Sequence, residues 1–405
     1  MAVTKRVVII GGGYAGIRAL EKLVGCEEIE ITLLDQNSYH YLQTDVYDFI
    51  ANRTNLSNIA VDLYTLCASF GPKVSFYQEE VLRIDCGQKN VTTNHCRHHY
   101  DYLIIAAGSR TLMPESIKGL EKHFHGVKSL PNAMRFKQRF EACMMKRLAT
   151  EGQCSLDSRF DIIVGGGGLS GVEIAAEMVA YSQEFFKDIG YLCGGVNVTL
   201  VNSSDTLLKG NNEFFQESAK KRLESLGIRI IWDQRILEAA EDKIVLSSGE
   251  SIAMDFLIWT GGITPPWVIR DFEVEKNKKG QLSVDEYYRL KENPEVFAIG
   301  DCADLRDPLS GKALPPTAQS AELSAEYVAG NLRRMLKGKA LKRQRIELKG
   351  MFAALGGRFG CGEILGLVRF RGVLAYGFKK LVEKGYYWPL KRRCKKGYKI
   401  MTGGR

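Results

Sequence analysis

The sequence predicts an α/β fold with two Rossmann-like dinucleotide-binding domains and an amphipathic carboxyl-terminal segment that docks on a membrane. Two glycine-rich loops, at residues 11–16 and 166–171, each follow an apolar, β-branched run and open a stretch with helical spacing. This strand–turn–helix setting is the one that a dinucleotide fingerprint requires. The third observation is a basic and apolar tail at residues 366–405. Two dinucleotides in one chain indicate a flavin that exchanges electrons with a nicotinamide.

The first glycine loop belongs to a strand–helix–strand unit. Residues 7–10 form an apolar strand, and apolar side chains then recur at helical spacing from Tyr14 to Leu23. A second strand, residues 29–34, ends at Asp35, which lies 19 residues after Gly16. In dinucleotide-binding units, a carboxylate that binds ribose hydroxyls is expected about 20 residues after the glycine-rich loop. Glycine lets the backbone approach a pyrophosphate, and the helix amino end supplies N–H donors.

The second glycine loop repeats this pattern about 155 residues later. An apolar strand at residues 161–164 precedes it, and a later strand at residues 196–201 ends at Asn202. Two further apolar strands, 102–105 and 256–259, run into small residues, and each is expected to return the chain to one of two sheets.

A last apolar strand, at residues 296–299, runs into Gly300 and Asp301. An acid just past a strand end can bind polyol hydroxyls, so this segment is expected to hold the ribityl chain of a flavin. The expected domains are a discontinuous FAD-binding domain at residues 1–115 and 285–335, an NAD(P)H-binding domain at 116–284, and a basic, amphipathic membrane-association region at 336–405.

Charge and cysteine content limit the class of protein. The net charge is +9, and residues 366–405 hold twelve Lys or Arg residues against one acid, Glu383. The ten cysteines include no C-x-x-C pair, which fits a reducing cytoplasm better than a disulfide framework. Residues 36–66 contain no cysteine, which disfavours a disulfide reductase. No transmembrane helix, signal peptide or metal site is expected.

These motifs resemble, over residues 5–335, those of the two-dinucleotide flavoproteins of the glutathione reductase type. Within that superfamily the chain looks most like the type II, non-proton-pumping NADH:quinone oxidoreductases. The specific evidence is residues 314–321, Leu-Pro-Pro-Thr-Ala-Gln-Ser-Ala, which are close to the family segment beside the flavin ring and the quinone. The resemblance implies hydride transfer from NADH to FAD, then transfer of two electrons to a membrane quinone. NADPH stays open as an alternative donor.

The resemblance also implies roles for individual residues. Glu173 is implied to lie near the nicotinamide and the flavin; a carboxylate favoured by a helix amino end is the simpler alternative. Gln319 is implied to bond the flavin or the quinone. Lys379 or Lys380 is implied to approach the quinone, and whichever points outward is expected to face anionic lipid. The catalytic residues are therefore expected to be Glu173, Gln319 and Lys379. The expected FAD contacts are Gly11, Gly13, Tyr14, Ala15, Gly16, Asp35, Ala107, Gly108, Gly300, Asp301, Ala318 and Gln319. The expected NAD(P)H contacts are Gly166, Gly168, Leu169, Gly171, Glu173, Asn202 and Gly261.

The sequence departs from the family pattern at three places. Leu323 and Ser324 stand where the family usually has two glutamines, which bears on the polarity of the quinone pocket. Asn202 ends a strand that commonly ends in glutamate, and an amide does not repel the 2′-phosphate of NADPH as a carboxylate does. Thr44 stands where relatives often have proline.

The tail combines an apolar helical face, an aromatic cluster and a basic run. Five apolar residues between Val373 and Val382 share one face, aromatics follow at 386–388, and basic residues at 391–396. This order suits a helix lying in a bilayer interface; packing on the protein's own core or on a dimer partner is the alternative. No nucleic-acid module accompanies the charge. We expect a peripheral, monotopic protein on the cytoplasmic face of the inner membrane, with quinone and anionic lipid as partners. The resemblance suggests a homodimer.

Three other functions remain open at the sequence level. A sulfide:quinone oxidoreductase needs redox cysteines over the flavin, for which Cys154, Cys193 and Cys361 are candidates; the intact second loop counts against it. A protein like apoptosis-inducing factor would bind FAD and NADH but serve in redox sensing. A ferredoxin or rubredoxin reductase would use the basic tail to bind an acidic protein.

Overall fold

A computed structural model of the protein describes residues 4–150, 160–189 and 195–403, without the side chains of residues 147–150. Its two largest sheets, one mainly and one wholly parallel, each carry one glycine loop, and the predicted α/β class with two Rossmann-like units is confirmed. In the described ranges, no helix combines the length and the apolar character that crossing a membrane requires.

The first sheet has six strands, and the strand before the first glycine loop lies inside it. Val7 to Ile10 are almost fully buried, as expected for a parallel strand covered on both faces. This strand pairs in parallel with the strands beginning at Ile29 and Tyr102. The chain returns to this sheet near residue 290. In spatial order the strands are Arg289–Leu290, Asn293–Ala298, Tyr102–Ile105, Lys5–Ile10, Ile29–Asp35 and Val74–Gln78.

The second sheet has five parallel strands and carries the second glycine loop. Its central strand pairs with Val196–Val201 on one side and with Phe256–Trp259 on the other. In spatial order the strands are Phe124–His125, Phe256–Trp259, Phe160–Gly165, Val196–Val201 and Arg229–Ile231. The chain passes between the sheets twice, and the crossing strands Arg110–Thr111 and Ile263–Thr264 pair antiparallel.

The helices connect and cover these sheets. Two of them start directly at the glycine loops, and the Tyr14–Leu23 helix has the bounds that the sequence predicted. The α-helices are Tyr14–Leu23, Val46–Ile50, Leu63–Ala68, Leu120–His123, Leu130–Thr150, Leu169–Asp188, Glu213–Ser225, Trp267–Arg270, Ala318–Leu336 and Val373–Met401. Short 3-10 helices occupy Gln43–Asp45, Leu56–Asn58 and Gly300–Cys302.

Small antiparallel sheets complete the chain. None of them was predicted; in the one at residues 350–372, glycines and charged residues hide the alternation typical of a strand. It leads directly into the tail helix, Val373–Met401. The small sheets comprise Tyr39–Tyr41 with Ala60–Asp62; Val81–Asp85, Asn90–Thr93 and Arg97–His99; Ile236–Ala239, Lys243–Leu246 and Ser251–Ala253; and Gly350–Ala354, Gly360–Ile364 and Val368–Gly372.

Candidate functional site

The three glycines of the first loop have different surroundings. A Cβ on Gly11 would lie 2.3 Å from the Ala106 carbonyl oxygen, and one on Gly16 would lie 1.8 Å from the Gly11 carbonyl oxygen. At Gly13, no described atom lies within 4 Å of the position that a Cβ would take. The first and third glycines therefore allow close packing inside the protein, whereas the middle glycine faces open space. That is the arrangement expected where a pyrophosphate approaches the backbone.

The second loop repeats this arrangement. A Cβ on Gly166 would lie 2.8 Å from the Thr260 hydroxyl oxygen, and one on Gly171 would lie 1.8 Å from the Gly166 carbonyl oxygen. Gly168 again has no described atom within 4 Å. Gly168 is also the N-cap of the helix that starts at Leu169, so no side chain caps its first turn. The free N–H groups and the helix dipole suit a phosphate.

The second strand of the first unit ends at an acid and that of the second unit at an amide, and the two side chains make different hydrogen bonds. The Asp35 carboxylate accepts hydrogen bonds of 2.7 Å from the backbone N–H groups of Gly12 and Asn37, and burial raises its pKa. At the matching place in the second unit, the Asn202 amide nitrogen donates to the carbonyl oxygens of Ser204 and Thr206, at 2.8 and 3.0 Å. The N–H donors of Asn202 are therefore already used within the protein.

Gly300 and Asp301 lie beside the first loop. The Asp301 carboxylate accepts a 2.6 Å hydrogen bond from the Ser109 hydroxyl, and the Lys128 ammonium lies 3.4 Å away. Gly300 has a φ of +70°, and a Cβ there would lie 3.3 Å from the Ala15 Cβ. The structure thus brings the Gly300–Asp301 turn together with Ala15 and with the segment that follows Ala107 and Gly108.

Like Asn202, the other two departures from the family pattern have structural partners. The Tyr14 hydroxyl lies 3.1 Å from the Thr44 hydroxyl, a contact that proline could not make. The Ser324 hydroxyl is buried, donates to the Ala321 carbonyl oxygen at 2.8 Å, and lies 3.4 Å from the Gly300 backbone nitrogen. Ser324 therefore fixes the turn beside Asp301 rather than projecting a polar group outward.

Gln319 and Gly261 have defined contacts within the chain. Ala318 and Gln319 begin a helix whose N-cap, Thr317, accepts a 3.2 Å hydrogen bond from the Ser320 backbone N–H. The Gln319 side-chain oxygen accepts a 3.0 Å hydrogen bond from the Lys349 backbone N–H. A Cβ on Gly261 would lie 2.1 Å from the Trp259 ring, so the indole packs on that glycine.

Two of the predicted catalytic residues, Glu173 and Lys379, form a buried ion pair. Glu173 lies in the first turns of the helix that begins at the second glycine loop, and Lys379 comes from the tail helix. The Lys379 ammonium lies 3.2 Å from the Glu173 carboxylate and 3.3 Å from that of Glu383. The same Glu173 oxygen accepts a 2.8 Å hydrogen bond from the Ala354 backbone N–H. These side chains are almost fully buried, Lys379 being 12% exposed.

Lys380 occupies a second, adjoining ion-pair cluster. Its ammonium lies 3.1 Å from the Asp45 carboxylate and 2.6 Å from that of Asp48, and it also pairs with Glu383. Both lysines therefore point inward, where buried carboxylates compensate their charge, and neither is the outward-facing lysine that was expected to meet anionic lipid.

Burial and charge shift the pKa values in this network. Burial lowers the pKa of the Lys379 ammonium, but Glu173 and Glu383 outweigh this effect and hold the pKa above its usual range. Burial raises the pKa of Glu383 to about 7, against the opposing effect of Lys379. Glu383 is thus a buried carboxyl group whose pKa lies above that of an exposed glutamate.

Sequence reasoning missed several residues of this site. It noted Glu383 as the one acid of the tail but assigned it no role. It did not foresee Tyr47, whose pKa is raised by burial and which lies beside Glu173 and Lys379. It also missed a buried contact in which the Tyr386 hydroxyl lies 3.0 Å from His40 Nε2. The lone acid within a basic helix was the signal that could have found Glu383.

Cys361 does not have the environment of a redox cysteine. It is fully buried, and burial raises the pKa of its thiol to about 12. The thiolate, which is the reactive form, is therefore strongly disfavoured. The other two candidates, Cys154 and Cys193, lie outside the described residues.

Comparisons with known proteins agree on one superfamily. The family model for pyridine nucleotide-disulphide oxidoreductases matches residues 5–325. The chain is 28% identical over 393 residues to the NADH dehydrogenase-like protein YutJ of Bacillus subtilis, covering 96% of this chain and 99% of the relative. It is 27% identical over 376 residues to the type II NADH:quinone oxidoreductase of Staphylococcus aureus, covering 89% of this chain and 90% of the relative.

Solved structures support the fold. NDH2 from Plasmodium falciparum, in complex with NADH, aligns with a TM-score of 0.85 at 17% identity over 99% of both chains. The sulfide:quinone oxidoreductase of Aquifex aeolicus aligns with a TM-score of 0.79 at 18% identity, over 96% of this chain and 92% of that one. At these identities the likeness concerns the fold alone, and it does not separate NADH from sulfide as the electron donor.

Proposed function

The chain belongs to the pyridine nucleotide-disulphide oxidoreductase family, and on that premise we propose that it is a type II NADH:quinone oxidoreductase. It binds FAD and NADH, and it acts as an NADH dehydrogenase that passes two electrons to a membrane quinone without pumping protons. The observation that carries the proposal is the buried Glu173–Lys379 pair. This pair joins the helix of the second nucleotide loop to the tail helix.

The residues present fit two dinucleotides. In each loop the middle glycine, Gly13 or Gly168, faces open space at the start of an uncapped helix. We assign FAD to residues 1–115 and 285–335, where Asp35 would hold the ribose and Asp301 the ribityl chain. We assign NADH to residues 116–284, through Gly166, Gly168, Leu169, Gly171 and Gly261. FAD supplies a ring that accepts hydride from NADH and returns two electrons to an acceptor.

The chain's own contribution is positioning and proton supply. Lys379 fixes the Glu173 carboxylate beside the second loop, where a misplacement of about 1 Å can cost about a hundred-fold in rate. Quinone reduction consumes two protons, and Glu383, with a pKa of about 7, holds one within the same buried network. We propose Glu383 as the proton donor toward the quinone and Lys379 as the group that orients both carboxylates.

Donor preference follows from Asn202. Its amide N–H groups are bonded to the carbonyl oxygens of Ser204 and Thr206. A 2′-phosphate would gain no donor from this side chain, whereas its free amide oxygen can accept from a ribose hydroxyl. NADH is therefore the expected donor.

The outer face of the tail supports a membrane-bound acceptor. Leu381 and Trp388 are 65% and 63% exposed, and Val373, Leu374 and Val382 are exposed beside them. The neighbouring hairpin of the 350–372 sheet adds Leu367, which is 81% exposed. Contiguous exposed apolar side chains next to basic residues suit an anionic bilayer surface. We propose peripheral docking of residues 336–405 on the cytoplasmic face of the inner membrane. A homodimer remains a prediction from the resemblance.

Rapid-mixing reduction of the purified flavoprotein tests this proposal. We expect NADH to bleach the flavin absorbance much faster than NADPH does, and a short-chain quinone to restore it rapidly. Bleaching without reoxidation by quinone would contradict the acceptor and favour a protein acceptor. No bleaching by either nucleotide would contradict the proposal as a whole, and sulfide would then be the donor to test.

A further inference from the structure

Three side chains with metal-binding chemistry converge at the edge of the first sheet, outside the charged network described above. Glu79 directly follows the edge strand Val74–Gln78, Cys96 lies in the turn before the strand Arg97–His99, and His98 lies within that strand. The His98 Nε2 atom lies 2.8 Å from a Glu79 carboxylate oxygen. The Cys96 sulfur lies 3.3 Å from His98 Nε2 and 3.8 Å from the same Glu79 oxygen.

These separations match those around a tetrahedral zinc ion. Zinc bonds of about 2.0 Å to nitrogen or oxygen and about 2.3 Å to sulfur place neighbouring ligand atoms about 3.3 to 3.6 Å apart. The three observed separations, 2.8, 3.3 and 3.8 Å, bracket that range. Metal binding thus requires side-chain shifts of only about 0.5 Å and no rearrangement of the backbone.

A second layer of contacts holds the carboxylate in place. The Thr93 hydroxyl donates a 2.7 Å hydrogen bond to Glu79 and accepts from the Cys96 backbone N–H at 3.0 Å. The Tyr77 ring packs 5.1 Å from the His98 ring. The Glu79 and His98 side chains are only 10% and 12% exposed. Such outer contacts orient metal ligands and are characteristic of built sites.

The ligand types select the ion. A thiolate with an imidazole and a carboxylate favours zinc over the hard cations magnesium and calcium, which prefer oxygen ligands alone. Cys96 is exposed, so the site has an open side from which an ion can enter. Because this side faces solvent, water is available for the fourth position.

We propose that Glu79, Cys96 and His98 bind one zinc ion with a thiolate–imidazole–carboxylate ligand set. The sequence analysis expected no metal, because the ligands do not form a repeated cysteine–histidine spacing. The run Asn94-His95-Cys96-Arg97-His98-His99 was the available signal. The third ligand precedes Cys96 by 17 residues, and only strand pairing brings it close.

The site adjoins the expected FAD pocket. The Glu79 backbone N–H donates a 2.8 Å hydrogen bond to the Asp35 carbonyl oxygen, so the two acidic residues are fixed at the ends of adjacent strands. A bound zinc ion would therefore hold the outer sheet edge against the strand that carries Asp35. This placement gives the ion a structural role, since Asp35 keeps its own contacts with the first loop.

Cobalt substitution tests the proposal on the full-length, reduced protein expressed without a histidine tag. Chelator-treated protein is titrated with Co²⁺ alone, and the difference spectrum is followed for a thiolate-to-cobalt charge-transfer band. Zn²⁺ is then added to displace the cobalt, and bound zinc is counted per chain. The variants are Cys96→Ser and His98→Gln, with Cys26→Ser as the control for another free thiol. Circular dichroism verifies that each variant is folded.

We expect one displaceable ion per chain and a cobalt band that survives in C26S. The band should vanish in C96S, and H98Q should bind Zn²⁺ at least ten-fold more weakly. A folded wild-type protein without a cobalt band would overturn the proposal, as would a band that C96S retains. An unchanged zinc affinity in folded H98Q would likewise overturn the assigned ligand set.

Discussion

Replacing Lys379 by methionine should destabilise the protein and slow its reaction with quinone. The substitution keeps the length of the side chain but removes a charge that lies 3.2 Å from Glu173 and 3.3 Å from Glu383. Breaking a buried pair by removing one partner costs about 3–5 kcal/mol. The cost should fall at the lower end, about 3 kcal/mol, because Glu173 keeps the Ala354 N–H and Glu383 keeps Lys380.

A thermal melt measures this loss. For a chain of 405 residues the unfolding entropy at the midpoint is about 0.85 kcal/mol/K, so 3 kcal/mol corresponds to a decrease in Tm of about 3.5 °C. Lys384→Met is the matched control, since Lys384 lies on the same helix but is exposed. We expect its Tm to change by about 1 °C or less, because surface substitutions have small effects.

Kinetics separate positioning from stability. At a temperature where K379M is fully folded, we expect reoxidation by quinone to slow about ten- to a hundred-fold, because Glu173 and Glu383 lose their shared partner. The double variant K379M/E173Q should regain part of the lost stability, since the uncompensated carboxylate is gone. Equal Tm values and equal reoxidation rates for K379M and K384M would refute the assignment of a buried, functional lysine.

Four further predictions follow from particular residues. Reoxidation by quinone should slow as pH rises through about 7, because Glu383 is protonated below its raised pKa and loses the proton above it; E383Q should abolish this inflection, and an unchanged profile would exclude Glu383 as the donor. Gly168→Val should abolish flavin reduction by NADH in rapid mixing, while the absorbance spectrum still shows bound FAD. Gly13→Val should lose FAD, which the absorbance spectrum would also show. Normal reduction of G168V would contradict the inference that the open space at Gly168 receives the NADH pyrophosphate. Leu381→Glu should move the protein off anionic vesicles in a sedimentation assay without altering reduction by NADH, and unchanged binding would argue against that face. Burial lowers the pKa of His40 to about 3, so as the pH falls the unfolded chain binds a proton at this histidine before the folded protein does. The free energy of unfolding should therefore decrease by up to about 1.4 kcal/mol per pH unit as the pH is lowered from about 6.5 to 3. Chemical unfolding of H40Q should give a shallower pH dependence than that of the wild type, and an identical slope would contradict this prediction.

The parts of the fold that were predictable from sequence are those that local chemistry determines. A strand followed by glycine and then by helical spacing has few alternatives, and the Tyr14–Leu23 helix and the Val196–Val201 strand were therefore located to the residue. The glycines at 11 and 16 belong to this class as well. Their close contacts are with backbone atoms of the same loop or of the adjacent strand, so the motif alone predicts them.

The charged network was beyond this kind of inference. Glu173 and Lys379 are separated by about 200 residues, and their contact depends on how the tail helix packs against the rest of the chain. A hydropathy pattern indicates that a helix has an apolar face, but it does not tell which lysines are compensated by buried carboxylates. One of Lys379 and Lys380 was accordingly expected to point outward toward lipid, whereas partners from other elements hold both inside.

The tail helix has two faces with opposite chemistry, and this division relates the proposed membrane docking to the buried charged network. Its inner face carries Lys379, Lys380 and Glu383 in buried ion pairs. Its outer face carries Leu381 and Val382, which are exposed although each is adjacent in sequence to one of those charges. Both sets belong to one helix, in which consecutive residues are about 1.5 Å apart along the axis. If the outer face docks on a bilayer as proposed, the Glu383 carboxyl group lies on the opposite, buried side of the same helix.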